Sequence, residues 1–473
     1  MNGDVIIRKQ KITVKTGNEQ VAFECRKFLN DIVDNDLPKL YERVFYQNIS
    51  FDTHINVKSL RVDLGTITLN DLKDQFIKIT ENEIIKELRH QFENNESDIS
   101  GVDAYPFQNL SVEYTTQKEQ NTKALLFFLE HGHYPWWYVK DERKSPISLL
   151  NDLNDNGQSE FLYDFFKRCR EVDTAKMTLL VKRFVNQLNN FICENYIKQI
   201  VALYNDSSLN TNIAMLLSEI KQFTKVFDIS SKAFYEELFC SVFTFGQRAD
   251  FLKLFVNRLH TSFPVANHDV LNDFVRSDQR LSFLEISPHQ IFKKDKTDNH
   301  KHITPVKHEI YIDNAGLIIL HPFLPAYFNS LGLTDENDQF KSFESQVKAS
   351  VLLYYLQCNC VSYQEWEMSL NKILCGLALS DVISSGVEIT HDDIAESKEL
   401  LNTVAGHWSA LKGASAESMQ NTFFQRAGKI THKEDAWLIQ VERTAVDVLL
   451  DKLPWGFSTI KLPWLTQLIH TEW

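Results

Sequence analysis

Residues 437–473 read WLIQVERTAVDVLLDKLPWGFSTIKLPWLTQLIHTEW, and the fold of the chain turns on how this stretch is read. Trp437, Ile439 and Val441 fall on alternate positions, and so do Val446, Val448 and Leu450, with Leu449 out of phase. A period of two suits a half-buried strand, because successive side chains point to opposite faces. Two Leu-Pro-Trp units, Leu453-Pro454-Trp455 and Leu462-Pro463-Trp464, lie nine residues apart. Proline is confined to sheet edges, strand starts and turns, so Trp455 and Trp464 take comparable hairpin positions. The expectation is a C-terminal β-hairpin segment over 436–473, with four of the eight tryptophans and no catalytic constellation. Packed β-structure reaching Trp473 leads us to expect a finished fold there.

Upstream the period changes to that of a helix. Leu180, Phe184, Leu188, Phe191 and Ile192 follow at spacings of three and four, and so do Phe234, Leu238, Phe239, Val242 and Phe243. Phe343, Val347, Val351 and Tyr355 repeat the pattern. Ser362 to Glu365 reads as a capping box before a helix ending at Gly376, and Thr390 to Asp393 as another, opening a helix toward Trp408. The first 96 residues look different. Val5 to Lys15 is β-like, 17–47 helical with a break at Pro38, 54–63 alternating, and 70–91 helical. The fold class expected is α+β, mainly helical. A small N-terminal strand-helix-strand-helix module precedes a large helical body, and the C-terminal hairpins are candidates to pair with the N-terminal strands. The expected domains are 1–96 (α+β module), 97–122 (linker), 123–286 (helical), 287–308 (polar linker), 309–435 (helical) and 436–473 (hairpins).

Composition limits function. Thirty-three Phe with only 15 Gly and 11 Pro in 473 residues favour long helices around a substantial core. A net charge of −13 argues against a phosphate-driven nucleic-acid binder, which would carry a basic face. Seven scattered cysteines, no signal-peptide pattern at Asn2, Gly3 and Asp4, and no run of about 18 apolar residues point to a cytoplasmic chain without a membrane span.

Chemical motifs are sparse. The phosphate-loop, dinucleotide, zincin and nucleophile-elbow patterns do not occur. Cys358-Asn359-Cys360 lacks a second cysteine pair at zinc spacing and reads as a helix end. His131 with His133, and His300, His302 and His308, invite a metal, but histidines of polar loops are usually just solvated. A dispersed hydrolase site would draw on His321, His391, Asp392 and Asp393, whereas a helix cap accounts for the last three. Catalytic residues, cofactor and metal ligands are accordingly expected to be none. Tyr134-Pro135-Trp136-Trp137-Tyr138 follows a helix and Gly132. Such aromatics either fold back on the core or offer contact area to a protein partner. Trp136, Trp137, Trp455 and Trp464 are the candidate anchor or partner-binding residues.

Seven segments, in order along nearly the whole chain, resemble the contractile injection system tape measure family of phage-tail-like bacterial devices. They are 60–67 (LRVDLGTI), 128–137 (FLEHGHYPWW), 315–325 (AGLIILHPFLP), 370–376 (LNKILCG), 407–412 (HWSALK), 424–428 (FQRAG) and the tail from Leu453. Tyr134 stands where the family tends to have leucine. The resemblance implies a non-enzymatic assembly role: setting the length of tail tube and sheath, in contact with the tube, baseplate hub or spike. It carries over no catalytic residue. Partners are then protein subunits of the particle, without nucleic acid, and a homo-oligomer is compatible. The location implied is the cytoplasmic assembly site or the interior of the particle. A wholly helical chain of this length would span roughly 700 Å. The missing heptads and the many aromatics favour a folded module over such a rod, so an adaptor or chaperone of tail components stands beside the ruler.

Overall fold

The computed structural model describes residues 5, 7, 10–48, 54–57, 60–96, 112–138, 144–153, 155–245, 250–263, 309–384, 386–411, 415–433 and 436–473. They form two compact units: Met1–Lys123 with Trp137–Arg143, and Ala124–Trp136 with Lys144–Trp473. Helices predominate, with a small sheet near the C-terminus, as a mainly helical α+β chain requires.

The first unit contains α1 (Glu19–Asn35), α2 (Leu37–Asn48), β1 (His54–Val57), α3 (Leu69–Glu96) and β2 (Val112–Thr115). Asn18 starts α1 by accepting the backbone N–H groups of Gln20 and Val21. The break expected at Pro38 separates α1 from α2, where the proline occupies a first turn that has no use for its missing N–H. Leu29 and Ile32 of α1, Leu40 and Val44 of α2, and Phe76 and Leu88 of α3 form the core. Arg43 of α2 clasps Glu81 of α3 through two bonds of 2.9 and 2.8 Å. β1 and β2 pair antiparallel from His54↔Thr115 to Val57↔Val112.

Two expectations fail here. The described residues of 5–15 form no strand, and among the described residues no N-terminal strand pairs with a C-terminal one. The C-terminal strands instead join β-strands of their own unit in a sheet whose edges have three and two residues, too short to template further pairing. Of the linker expected over 97–122, residues 97–111 lie outside the described residues, and 112–122 holds β2 and the start of α4 (Gln117–His131). The polar stretch 287–308 lies wholly outside them.

In the second unit a helical layer continues with α5 (Pro146–Asp152), α6 (Asp155–Glu171), α7 (Thr174–Gln187), α8 (Asn190–Ala202), α9 (Ser207–Ser218), α10 (Ile220–Phe227), α11 (Ser231–Thr244) and α12 (Phe251–Ser262). α11 is apolar on almost every face and packs against α6, α7, α8, α10 and α12, as an all-round hydrophobic helix must. Its phenylalanines join two ring clusters. In one, Phe165 and Phe184 approach to 4.5 Å, with Phe239 at 5.9 Å from Phe184. In the other, Phe234 lies 5.5 Å from Phe255 and 5.6 Å from Phe223. Phe191, expected on the apolar face, is exposed. α7 stops at Gln187, and Asn189 caps a new helix, so the period restarts.

The rest of this unit wraps a five-stranded sheet of order β3-β4-β5-β7-β6. Its strands are β3 (Ile310–Ile312), β4 (Gly428–Lys433), β5 (Ala436–Val441), β6 (Thr459–Ile460) and β7 (Leu468–Glu472). Every pairing is antiparallel except β5 with β7. The alternation at Trp437, Ile439 and Val441 is thus a true strand. The second alternating run is not: 446–450 lie in a 3₁₀ helix, Ala445–Lys452, opened by a capping box of Thr444 and Asp447. The cap supplies the missing partners at a helix start and overrides an alternation that Leu449 already interrupts. Against the sheet pack the buried 3₁₀ turn Ala315–Leu320, α13 (Leu324–Ser330), α14 (Phe343–Cys358), α15 (Ser369–Leu374) and α16 (His391–His407). α16 carries the expected box, with Thr390 accepting from Asp393 N–H and Asp393 accepting in return. Gly316 lets two backbones meet, since a Cβ there would stand 1.6 Å from the Phe423 carbonyl oxygen.

Two consequences can be measured. Gly316→Ala must push apart Ala315–Leu320 and the turn at Phe423, and is expected to cost ~2–3 kcal/mol in urea unfolding; an unchanged midpoint would show that the two segments separate freely. Glu236 on α11 gives a pH signature. Burial lifts its carboxyl to about 7, with Lys182 and Lys232 opposing the shift and Glu237 adding to it. A raised folded pKa favours the native state below the unfolded value of about 4.5, and that advantage disappears as pH rises through about 7. Glu236→Gln is therefore expected to stabilise the protein at pH 8 and to have little effect at pH 5. Equal shifts at both pH values would contradict a buried ionising carboxyl.

Candidate functional site

The charged centre of the second unit is a cluster that carries two cations on one carboxylate. Arg183 of α7 donates from Nε to Glu365 Oε1 at 3.0 Å, and Lys372 of α15 donates from Nζ to the same oxygen at 2.9 Å. The three side chains are 1–2% exposed. Arg183 also donates to the carbonyls of Leu129 and Ser380, the latter at 2.7 Å, and Lys372 to that of Leu379 at 3.1 Å. Burial draws the Lys372 ammonium below its ordinary range; Glu365 works against that shift, and Arg183 adds to it. Glu365 Oε2 is buried without a partner. The arrangement thus joins α4, α7, the 3₁₀ turn Glu365–Glu367, α15 and the loop after it through fixed hydrogen bonds. With its carboxylate held by two buried cations, the cluster holds these segments together.

Gly132 explains why a histidine-glycine-histidine turn sits above this cluster. Its φ of +79° is a left-handed conformation, and a Cβ would meet Leu379 O at 2.8 Å, Lys372 Nζ at 3.0 Å and Arg183 Nη2 at 3.1 Å. The aromatic run that follows folds back on the core at Tyr134. Its ring lies 5.6 Å from Phe128 and 5.7 Å from Trp366, and its hydroxyl donates to Lys144 O at 2.7 Å. Arg183 completes the stack from 5.9 Å over the Phe128 ring. His131 donates from Nδ1 to Phe127 O, and His133 to Tyr134 O, each at 3.0 Å.

The tryptophans nominated from the sequence lie in three places. Trp136 and Trp137 are half-buried at the turn after α4, with Trp137 edge-on to Tyr138 at 6.4 Å. Trp455 donates its indole N–H to Ile319 O at 3.0 Å and packs on Phe323 at 5.0 Å. Trp464 donates to Leu374 O at 2.8 Å and packs between Phe340, at 4.8 Å, and Phe328, at 5.5 Å. Each thus ties one turn of the tail to the helical face of the sheet. Trp455 precedes β6, and Trp464 lies in the β6–β7 connection.

The remaining nominees hold different tasks. Asp393 accepts Thr390 N–H and Oγ1 at 2.8 Å each and Lys348 at 2.9 Å, so its carboxylate serves the α16 cap. His391 and Asp392 lie in the first turn of that helix. His321 donates to Ile318 O at 3.0 Å, and burial lowers its pKa. Cys358 and Asn359 end α14, with Asn359 in the left-handed conformation. His300, His302 and His308 lie outside the described residues. Among the described residues no group of three or more His, Cys, Asp or Glu side chains converges as a metal site would, and no helix is long and apolar enough to cross a membrane.

Sequence reasoning missed the ion cluster. Ser362 to Glu365 looked like a capping box, but the 3₁₀ turn Glu365–Glu367 has no side-chain cap and its Glu is buried. The available signal was Arg183, a charge set within the apolar spacing of Leu180 and Phe184.

A family model described as contractile injection system tape measure protein matches residues 4–473. No curated protein and no solved structure matches the chain.

Replacing Glu365 with Gln leaves two buried cations without a counter-charge and is expected to cost about 3–5 kcal/mol in urea unfolding. Replacing Arg183, Glu365 and Lys372 together with Met, Leu and Met is expected to restore most of that loss. A triple variant no more stable than Glu365→Gln would contradict the charge argument.

Proposed function

The chain belongs to the contractile injection system tape measure family, and from that premise we propose that it acts as a folded, non-enzymatic assembly protein of the particle. Its partners in this reading are the tube, baseplate hub or spike subunits, met in the cytoplasm where the particle is built. The observation that carries the reading is the bracing of the second unit, in which one buried carboxylate and the indoles of Trp455 and Trp464 lock helices and tail to one another. A ruler works by extended reach. The longest helix among the described residues, α3, has 28 residues, about 42 Å of helix, against the roughly 700 Å of a fully helical chain. Drawing the braced unit out into a rod would require breaking its buried charge cluster and its aromatic core. Trp455 and Trp464 serve as anchors within the fold in this reading, and Trp136 and Trp137 are assigned to partner contact.

Insertion of 20 and 40 residues of flexible sequence into 97–111 tests the adaptor against the ruler. Particle length measured by electron microscopy is expected to stay constant while particle yield falls. Length that grows with the insertion would establish the ruler and overturn the adaptor. Stable co-purification with finished particles supports an adaptor that remains bound, whereas recovery only with free subunits supports an assembly chaperone.

A further inference from the structure

The N-terminal segment that fails to become a strand has the chemistry of one. Residues 10–16 read QKITVKT: β-branched residues at 12, 13, 14 and 16, and lysines at 11 and 15. The segment is exposed throughout, and among the described residues no backbone hydrogen bond reaches 10–16 and no sheet includes it. Ile12 and Val14 are 38% and 45% exposed, unusual for β-branched apolar side chains placed side by side. The segment is nonetheless placed. At its C-terminal end Thr16 accepts Asn18 N–H at 3.3 Å, next to the α1 cap.

Between this segment and α1 lies a cleft of about 370 Å³. Ile12 and Val14 form one wall, and Ala22, Cys25, Leu29 and Val33 form the apolar part of the other. The polar lining includes Arg26 and Asn30 and, among the described residues, no carboxylate. The alternation is that of extended backbone: 10, 12, 14 and 16 line the cleft, whereas Lys11, Thr13 and Lys15 do not. Segment 10–18 holds two lysines and no acid in a chain of net charge −13. Of the carboxylates of α1 near this region, Glu24 is already engaged by Lys73 at 2.9 Å, and Glu19 and Asp31 do not line the cleft.

We infer that residues 10–16 are an acceptor edge for strand addition, and that the occupant is an extended segment of a partner subunit that alternates apolar with acidic residues. Pairing along 10–16 gives the orphaned N–H and C=O groups a ladder. The incoming apolar side chains enter the cleft beside Ile12 and Val14. The incoming carboxylates fall on the opposite face, across from Lys11 and Lys15, where opposite charges on neighbouring strands attract. A second copy of this chain is the wrong occupant, because pairing 10–16 with itself sets lysines against lysines. That the donor is a subunit of the injection particle rests on the assembly reading; the chemistry of the edge does not.

Fluorescence anisotropy on the full chain tests the edge directly. The probes are fluorescein-labelled ten-residue peptides alternating Val with Glu, Val with Lys, or Ser with Glu. The Val/Glu peptide is expected to bind at least tenfold tighter than either of the others, and to weaken with salt. Val14→Pro removes a ladder donor from an exposed segment without touching the core, and is expected to reduce binding at least tenfold. Lys11→Glu with Lys15→Glu is expected to reverse the preference toward Val/Lys. Equal binding of the Val/Glu and Val/Lys peptides, or binding unmoved by Val14→Pro, overturns the proposal. Binding of Ser/Glu as tight as Val/Glu also overturns it, by reducing the edge to a charge patch. This experiment reads the first unit alone and gives the same answer whatever the chain does in the particle. The insertion experiment reads assembly, so failure of one is distinguishable from failure of the other.

Discussion

Glu365 holds Arg183 and Lys372 where water does not reach, and the second unit is organised around that fact. Two buried positive charges on one negative charge leave an excess that the surroundings must absorb. The carbonyls of Leu129, Leu379 and Ser380 absorb it, and they come from two distant points of the chain. The cluster therefore fixes geometry beyond its own side chains. It requires α4 to end at Gly132 with no Cβ in the way, and it requires the loop after α15 to turn its carbonyls inward. A buried pair of this kind contributes little net stability compared with apolar residues of the same volume, but losing one member is severe. Its use is the discrimination of one docking of helices from others that bury the same phenylalanines. The ring clusters of α7 and α11 provide the larger driving force, since aromatic burial scales with area, but area does not choose a register.

The tail solves a complementary problem in the same unit. A sheet with a two-residue edge at β6 gains little from its ladder, and β7 lies parallel to β5, a pairing no tight turn can make. The connection must travel, and the Leu-Pro-Trp units pin it as it goes. Each proline leaves no N–H to satisfy, and each indole N–H finds a main-chain carbonyl of the helical face. Trp408 does the same from the end of α16, donating to Leu449 O at 3.0 Å. Trp408, Trp455 and Trp464 thus act as hydrogen-bonded pegs between layers.

Much of this was legible where local signals and tertiary context agree. The Thr390–Asp393 box, the break at Pro38, the strand at Trp437 and the helical period of α11 each report one energetic term, and nothing in the fold opposes it. The misreadings occur where a second term wins. At 446–450 a capping box defeated an alternation. At Ser362–Glu365 a carboxylate that looked local was bound over long range, its partner Arg183 lying 182 residues away. At 5–15 the β-propensity is genuine, but no described strand offers the segment an edge. Of the site, Gly132 and the aromatics after it were visible as a motif, whereas the purpose of the glycine was not, because it depends on Lys372 and Arg183 meeting against it.

That last misreading carries functional weight. A segment with strand chemistry normally folds under, pairs, or is blunted by charge and twist, because an open edge invites association. Here the lysines at 11 and 15 occupy the positions where blunting charges belong, yet Ile12 and Val14 line an open cleft of about 370 Å³. A protein that only needed to stay monomeric would fill that cleft from α1 or place the lysines on its inner face. Turning Ile12 and Val14 toward the cleft and the lysines away from it keeps like edges apart and admits an acidic strand. The assembly role proposed above has that requirement: such a factor must refuse its own copies while free, and accept a different subunit when the particle is built. In that proposed role, the braced second unit and the unpaired N-terminal edge answer one demand: a body held by buried bonds, and an edge that is not yet satisfied.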